Sequence, residues 1–291
     1  MFIEELYNER HKYDYFAMKY LVKVEYDETK KKKVEIMEEY EPIFIRGKYD
    51  NEEGQKEITC LDKGEVQERI MILPILCRDG EELRDVLYLS ASAGSGKSYF
   101  LNMFCKIYHM FYPKNELYFL TCNDFKQDKS LDHEMYKNLN MNDFIDMVSE
   151  NQEEIAKDGT IFKDSIVVLD DVGVIAHDKK KERNLWQFVN TGLENARKRL
   201  MSLIIVSHVP TNYKLTSVLV REATWYIPFP GNQQVKSDRF LNCYLGLNKK
   251  QVHRITDEED NSRWVAINCK KKLVVSEYKI YSLKDTEKPK K

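Results

Sequence analysis

The chain has 291 residues, of which 42% are hydrophobic and 12% aromatic, and its formal net charge is −2. This composition can bury a substantial core, which excludes a disordered chain. No run approaches the roughly 18 apolar residues of a membrane span, so we expect no membrane partner. The six cysteines are scattered without a C-x-x-C pair, which predicts reduced core thiols and excludes a disulfide framework or a zinc site.

Charge is distributed unevenly along the chain. The segment Asp27–Glu82 holds 16 acids against 10 lysines and arginines, whereas Lys179–Arg254 holds 14 lysines and arginines against 4 acids. A solvated surface is the simplest interpretation of either segment. The local excess of ten positive charges in the second segment also suits a polyanionic partner.

Residues 1–80 are predicted to form a separate β-rich region of unknown role. Their pattern predicts a helix from Phe2 to Met18, followed by short strands separated by polar turns. The lysines Lys30–Lys33 indicate a solvated hairpin tip more than an anion site. The short strands are expected at residues 20–26, 33–36, 42–46, 57–61 and 68–76.

The next stretch, DVLYLSASAGSGKSYF, passes from an apolar run through small residues into an apolar helix. This order is what a phosphate-binding loop requires, because only small residues let backbone N–H groups surround phosphates at a helix N-terminus. Ala91 stands where the G-x-x-x-x-G-K-[ST] motif has its first glycine. Lys97 is expected on the β- and γ-phosphates, and the Ser98 hydroxyl on Mg²⁺. The predicted nucleotide-binding residues are Ala91, Ser92, Ala93, Gly94, Ser95, Gly96, Lys97, Ser98 and Tyr99.

From Val86 onward strands alternate with helices, which predicts an α/β fold with a mostly parallel sheet covered on both faces. We expect one P-loop NTPase domain over residues 81–281, with an added antiparallel hairpin after Ser262, and a disordered basic tail at 282–291. Core strands are predicted at residues 86–90, 117–122, 166–170, 203–207 and 225–229. Helices are predicted at residues 97–111, 142–157, 182–200 and 237–244.

The segment DSIVVLDDVG carries the second motif. Its apolar strand ends in Asp170 and Asp171, at the edge where open α/β sheets bind ligands. We expect Asp170 to hold Mg²⁺ as a Walker-B aspartate does, and Asp171 to orient or deprotonate the attacking water. Lys97 lies 73 residues upstream of Asp170, which favours this interpretation over acids that merely end a strand.

The spacing between the two motifs leaves room for a complete strand, Leu117–Cys122, and a helix. It therefore indicates the branch of P-loop proteins with an extra strand between the Walker A and Walker B strands, which are typically mechanical ATPases. Asp170–Gly173 spells D-x-x-G, a switch motif of GTPases. No N-K-x-D guanine reader follows, since Asn248–Gln251 lacks the aspartate, so we predict ATP as the nucleotide.

The third motif, ENARKRLMSLIIVSH, runs from a basic helix into a strand that ends at His208. A polar side chain at that edge can sense the γ-phosphate or position water, although His208 can equally be a structural histidine. Arg197 and Arg199 lie at the helix end away from the P-loop. They are candidates for an arginine finger that reaches a neighbour's nucleotide, or for charges that complement the helix dipole.

Together, ASAGSGKS, VVLDDVG, ARKRLMSLIIVSH, VREATWYIPFP, RFLNCYLGLNKKQVHRI and SRWVAIN resemble the genome-packaging ATPases of nucleocytoplasmic large DNA viruses and their polinton and virophage relatives, in the FtsK-HerA superfamily. The resemblance covers about residues 83–280. Arg197-Lys198 takes the place of the family's arginine pair, while His208 replaces a frequent glutamine. Arg221 is a further candidate for the trans-acting arginine.

The resemblance implies a homo-oligomeric ring, a pentamer or hexamer, that uses ATP and Mg²⁺ to pull double-stranded DNA into a preformed capsid. Its DNA contacts would be independent of sequence, and capsid vertex proteins would be its partners. It would act in the host-cell cytoplasm, at the virus factory, and in the virion.

Two other functions remain open from the sequence. An AAA+ remodeller or helicase loader would need a helical lid after the core, whereas Ser262–Tyr281 has the pattern of strands. A P-loop nucleotide kinase would be a compact monomer without the extra strand, which the long spacing between the motifs disfavours.

Overall fold

The structure is a computed structural model that describes twelve segments of the chain. These segments form two β-sheets and the helices that cover the larger one. They are residues 13–27, 32–46, 58–59, 62–63, 66–75, 84–150, 162–199, 201–208, 222–229, 234–256, 262–269 and 273–283.

The smaller sheet is antiparallel and has the order β2-β1-β5-β4. Its strands are β1 (Tyr13–Asp27), β2 (Lys32–Arg46), β4 (Asp62–Lys63) and β5 (Val66–Ile72). The helix predicted to reach Met18 is therefore wrong from residue 13 onward, and two 15-residue strands replace the predicted short ones. The physical reason is that β1 pairs with β2 on one side and with β5 on the other.

The larger sheet has ten strands among the described residues, in the order β3-β14-β13-β12-β11-β6-β10-β9-β7-β8. Strands β11, β6, β10, β9, β7 and β8 are mutually parallel. Their bounds are Val86–Ser90 for β6, Glu116–Thr121 for β7, Lys137–Asn140 for β8, Ser165–Leu169 for β9, Ser202–Ser207 for β10 and Trp225–Pro228 for β11. The predicted α/β fold with a mostly parallel sheet is confirmed. The edge strand β8 was not predicted.

An extra strand does lie between the Walker A and Walker B strands, but it is β10 and not the predicted strand Leu117–Cys122, which is β7. Strand β10 lies between β6 and β9 in the sheet, whereas β7, which separates the two motifs along the chain, lies outside β9. Strands β6 and β9 are buried along their whole length, as expected of central strands with both faces covered.

Helices cover both faces of the larger sheet. Helix α1 (Lys97–Phe111) packs with β1 and β5 on one face, where Phe100, Phe104, Ile107 and Phe111 repeat at helical spacing. The opposite face carries α2 (Met141–Glu150), α3 (Lys179–Arg199), α4 (Gln234–Cys243) and α5 (Lys249–Thr256). The four predicted helices are present, although α2 is described only to Glu150. The short helix α5 was not predicted.

The C-terminal strands differ from the prediction of one hairpin. They are β12 (Val265–Asn268), β13 (Leu273–Ser276) and β14 (Lys279–Ser282), three antiparallel strands that extend the larger sheet. Strand β3 (Ile58–Thr59) pairs with β14 at the sheet edge. Because β14 includes Ser282 and Leu283 is fully buried, the predicted tail cannot begin at 282. Residues 284–291 lie outside the described segments.

Contacts cross the predicted domain boundary near residue 80. Met18, Ile70 and Ile72 belong to the same buried cluster as Phe100 of α1. Ile70 donates its backbone N–H to the Glu277 carbonyl at 2.7 Å. The division of the chain into residues 1–80 and 81–281 stays a prediction, but the two sides share a core.

The described cysteines are free thiols in different environments. Cys105 is buried, Cys122 and Cys269 are half-buried, and Cys243 is exposed, so the prediction of core thiols fails for Cys243. Cys60 and Cys77 lie outside the described segments. Within those segments, no helix has the length and the apolar character that crossing a bilayer requires.

Candidate nucleotide-binding site

The phosphate-binding loop joins β6 to α1 at the carboxyl edge of the parallel strands. Gly94 and Gly96 have φ values of +74° and +96°, in the left-handed region that favours glycine. An added Cβ would meet no atom within 4 Å at either position, so backbone conformation, and not crowding, requires the glycines. Ala91, in place of the motif's first glycine, is buried and donates its N–H to the Ser207 carbonyl at 3.1 Å.

Two side chains of the loop converge on one of its own carbonyls. Lys97 Nζ donates to the Ser92 oxygen at 3.1 Å, and Ser95 Oγ donates to the same oxygen at 2.8 Å. The Lys97 ammonium therefore lies over the loop, where phosphate oxygens would accept from it. Residues from Ser92 to Tyr99 are exposed or half-buried, so the loop is open to a ligand.

Asp170 follows β9 beside this loop. Its N–H donates to the Leu120 carbonyl at 2.9 Å, and its Oδ2 accepts from Thr121 Oγ1 at 3.4 Å. Burial, and then the charge of Asp171, raise the pKa of the Asp170 carboxyl to about 6, while the Lys97 charge opposes the rise. A buried carboxylate beside a second carboxylate is stabilised by a cation. The oxygen donors of Ser98 and Asp170 suit Mg²⁺.

Asp171 has a positive φ of +51°. This left-handed conformation is uncommon for residues other than glycine. Its Oδ1 lies 2.7 Å from His208 Nε2, and its Oδ2 accepts from Asn123 Nδ2 at 3.3 Å. Three strand ends, those of β7, β9 and β10, thus meet at this carboxylate.

His208 connects Asp171 to the phosphate-binding loop. Its Nδ1 lies 3.1 Å from the Ala91 carbonyl, while its Nε2 faces Asp171. Both neighbours are hydrogen-bond acceptors. The geometry links the first residue of the loop to the second acid through one imidazole.

The structure thus brings Lys97, Ser98, Asp170, Asp171 and His208 to one edge of the sheet. Sequence reasoning missed Thr121 and Asn123, which contact the two acids. The signal was present, because Thr121 lies at the end of the predicted strand Leu117–Cys122 and Asn123 follows it, and parallel strands end at the same edge.

Arg197 lies near the end of α3, two residues before Arg199. Because β10 begins at Ser202, that helix end lies at the sheet edge opposite the loop. The side chains of Arg197 and Arg199, and all of Arg221, lie outside what the structure describes. Their roles stay predictions.

No protein-family model matches the chain. It is similar to an uncharacterised protein, V3, of Sputnik virophage, with 27% identity over 195 residues that cover 64% of this chain and 71% of the relative. The relative comes from a virophage, one of the groups of viruses that the sequence resemblance named.

Two solved structures are also similar. One is B204, the DNA-packaging ATPase of Sulfolobus turreted icosahedral virus, with 13% identity, a TM-score of 0.47, and coverage of 66% of this chain and 96% of that chain. The other is the conjugation coupling protein TcpA of pCW3, in its monomer form with ATPγS. It has 14% identity and a TM-score of 0.45, and the match covers 98% of this chain and 82% of that chain. These values are too low to assign the activity of either protein to this chain.

Proposed function

We propose that this chain is an ATP-hydrolysing translocase of double-stranded DNA that packages a viral genome into a preformed capsid. The observation that carries the ATPase part is the convergence of the phosphate-binding loop, two strand-end acids and His208 at one sheet edge. The packaging part is supported by the motifs that resemble viral packaging ATPases.

In this proposal each residue has a separate task. Lys97 binds the β- and γ-phosphates, and Ser98 and Asp170 hold Mg²⁺, which neutralises charge on the phosphates. Asp171 orients the attacking water and accepts its proton. His208 contacts both the loop and Asp171, which suits it to sense the phosphates bound between them.

The DNA contact is proposed for the sheet face opposite α1. Helices α3, α4 and α5 pack there and expose lysines and arginines of the basic segment. A surface of this kind binds phosphates without reading sequence. The exposed basic residues include Lys180, Arg183, Arg239, Lys249 and Lys250.

We further propose a homo-oligomeric ring, a pentamer or hexamer, with Arg197 as the trans-acting arginine. The support is the position of its helix end, at the edge opposite the chain's own loop. Capsid vertex proteins are its proposed partners, and the virus factory in the host cytoplasm and the virion its proposed locations. An AAA+ remodeller would carry a helical lid after the core, whereas this chain has the strands β12–β14 there. This difference disfavours the remodeller as an alternative.

The test is ATP hydrolysis by the purified oligomer, with and without linear duplex DNA. We expect DNA of any sequence to stimulate hydrolysis. Its affinity should fall with salt by about 0.9 log units per log unit of salt for each phosphate contacted. Hydrolysis that ignores DNA, or binding that is independent of salt, would contradict the proposal.

The same assay tests the ring. Lys97→Ala and Arg197→Ala subunits should each be inactive alone, since an arginine finger contributes about 10³ to 10⁵ in turnover. A mixture should regain hydrolysis, because some interfaces then hold an intact lysine and an intact arginine. If the mixture assembles but stays inactive, Arg197 does not act in trans, and Arg199 or Arg221 becomes the candidate.

A further inference from the structure

A second polar cluster lies beside the phosphate-binding loop. It consists of Tyr99 on α1, Arg263 just before β12, and Glu277 in the turn between β13 and β14. Strand β12 is antiparallel to β11, and β13 is antiparallel to β12. The start of β12 and the end of β13 therefore lie at the edge where β6 delivers the loop.

The Arg263 guanidinium is held in a fixed plane. Its Nε and Nη2 donate to Glu277 Oε1 at 3.0 and 2.7 Å, and its backbone N–H donates to Oε2 at 2.7 Å. The Glu277 side chain is only 1% exposed, whereas that of Arg263 is 39% exposed. These three hydrogen bonds to one carboxylate hold the arginine in a single orientation before any ligand binds.

Tyr99 supports this plane. The guanidinium carbon lies 4.3 Å from the centroid of the Tyr99 ring, the geometry of a cation–π contact. Tyr99 directly follows Ser98, so the stack begins at the last of the predicted nucleotide-binding residues. Arginine planes and tyrosine rings are surfaces on which nucleobases stack.

The sheet order gives the direction of a bound triphosphate. Asp170, Asp171 and His208 follow β9 and β10, on one side of β6, whereas Arg263 precedes β12, on the other side. A γ-phosphate placed at the acids leaves the nucleoside to extend toward β11 and β12. That end of the site holds Tyr99 and Arg263.

We propose that Arg263, stacked on Tyr99 and fixed by Glu277, is the platform on which the base of the bound nucleotide stacks. The inference rests on the proposed function, since it assumes a nucleoside triphosphate at the loop. Arg263 is then a binding residue for the base and takes no part in the chemistry at the γ-phosphate. The buried carboxylate explains why a half-exposed arginine keeps one orientation.

The test compares two ligands that differ in the base. Binding of Mg·ATP and of Mg·tripolyphosphate is measured by calorimetry for the wild type, Arg263→Lys and Tyr99→Leu. The lysine keeps a charge for Glu277 but loses the plane. We expect the ATP affinity of each variant to fall about tenfold, with tripolyphosphate affinity unchanged.

Arg254→Lys is the matched control. Arg254 lies over the Tyr281 ring at the same 4.3 Å, but on the sheet face opposite α1, so both affinities should equal those of the wild type. Unchanged ATP affinity in the Arg263 and Tyr99 variants would overturn the inference. So would an equal loss for both ligands, which would place the defect in the loop. A wild type that binds neither ligand would overturn the proposed nucleotide site as well.

Discussion

Asp170 and Asp171 are adjacent residues of one type in different environments. Asp170 has a pKa raised to about 6, chiefly by burial, and its oxygen lies near Thr121. Asp171 has a left-handed backbone and faces His208 and Asn123. These different contacts allow the two acids to have separate tasks.

Substitution by asparagine should separate these tasks. Asp170→Asn should weaken Mg²⁺-dependent ATP binding, because an amide is a poor ligand for a hard cation. Asp171→Asn should leave binding intact and reduce turnover by about 10² to 10⁴, the contribution typical of a general base. Calorimetry with Mg·ATP and steady-state hydrolysis measure the two effects. Equal loss of ATP affinity in both variants would show that the assignment is wrong.

The linear motifs made most of this site predictable. Lys97 and Ser98 belong to one short continuous motif, and Asp170 and Asp171 belong to another. All four are therefore predictable from local sequence. Asn123 and Arg263 depend on which strands are neighbours and on pairing over long sequence distances. The segment containing Arg263 is one of those that carry the family resemblance. Nothing in its local sequence indicates that a buried glutamate would hold the arginine in one orientation.

At the scale of elements, Asp85 fastens the start of β6 to the segment after β5. Its Oδ2 accepts from the Ile75 N–H at 2.8 Å, and its own N–H donates to Ser202 Oγ at 3.0 Å. Among the described residues, its buried Oδ1 has no hydrogen-bond partner. Burial raises the pKa of this carboxyl to about 7, although the bond from Ile75 opposes the rise.

This raised pKa predicts a specific pH dependence of stability. The folded protein keeps a proton on Asp85 up to about pH 7, whereas the unfolded chain loses it near pH 4. Stability should therefore fall as the pH rises through that window, by about 4 kcal/mol in the limit. Asp85→Asn cannot ionise and still accepts from Ile75. It should unfold at a higher temperature than the wild type at pH 8, with a smaller difference at pH 5.

Thermal unfolding at the two pH values measures this effect. Asp164→Asn is a matched control, because it makes the same substitution at a half-exposed aspartate. A variant of Asp85 that is less stable than the wild type at both pH values would contradict the prediction.

The elements that sequence predicted well are those with strong local patterns. Strands β6, β9, β10 and β11 were placed within one residue at each end, because buried parallel strands are continuous apolar runs. Residues 13–18 of β1 were mistaken for part of a helix because their partners, Pro42–Arg46 of β2 and Met71–Ile72 of β5, are distant in sequence. The polar residues Lys137–Asn140 of β8 carry no apolar pattern, so an edge strand there was not visible.

At the scale of the whole molecule, the proposed tasks occupy different surfaces. The nucleotide site lies at the carboxyl edge of the sheet, while α3, α4 and α5 expose basic residues on the face opposite α1. Strand β10 belongs to both regions, because it follows α3 and ends at Ser207, next to His208.

The central claim is that ATP hydrolysis moves this protein along duplex DNA. Displacement of a third strand from a linear triplex tests it most directly, because a translocating motor strips that strand from its track. We expect ATP-dependent displacement by the wild-type oligomer and none by Lys97→Ala. A wild-type oligomer that binds the duplex and hydrolyses ATP, yet leaves the third strand in place, would contradict it.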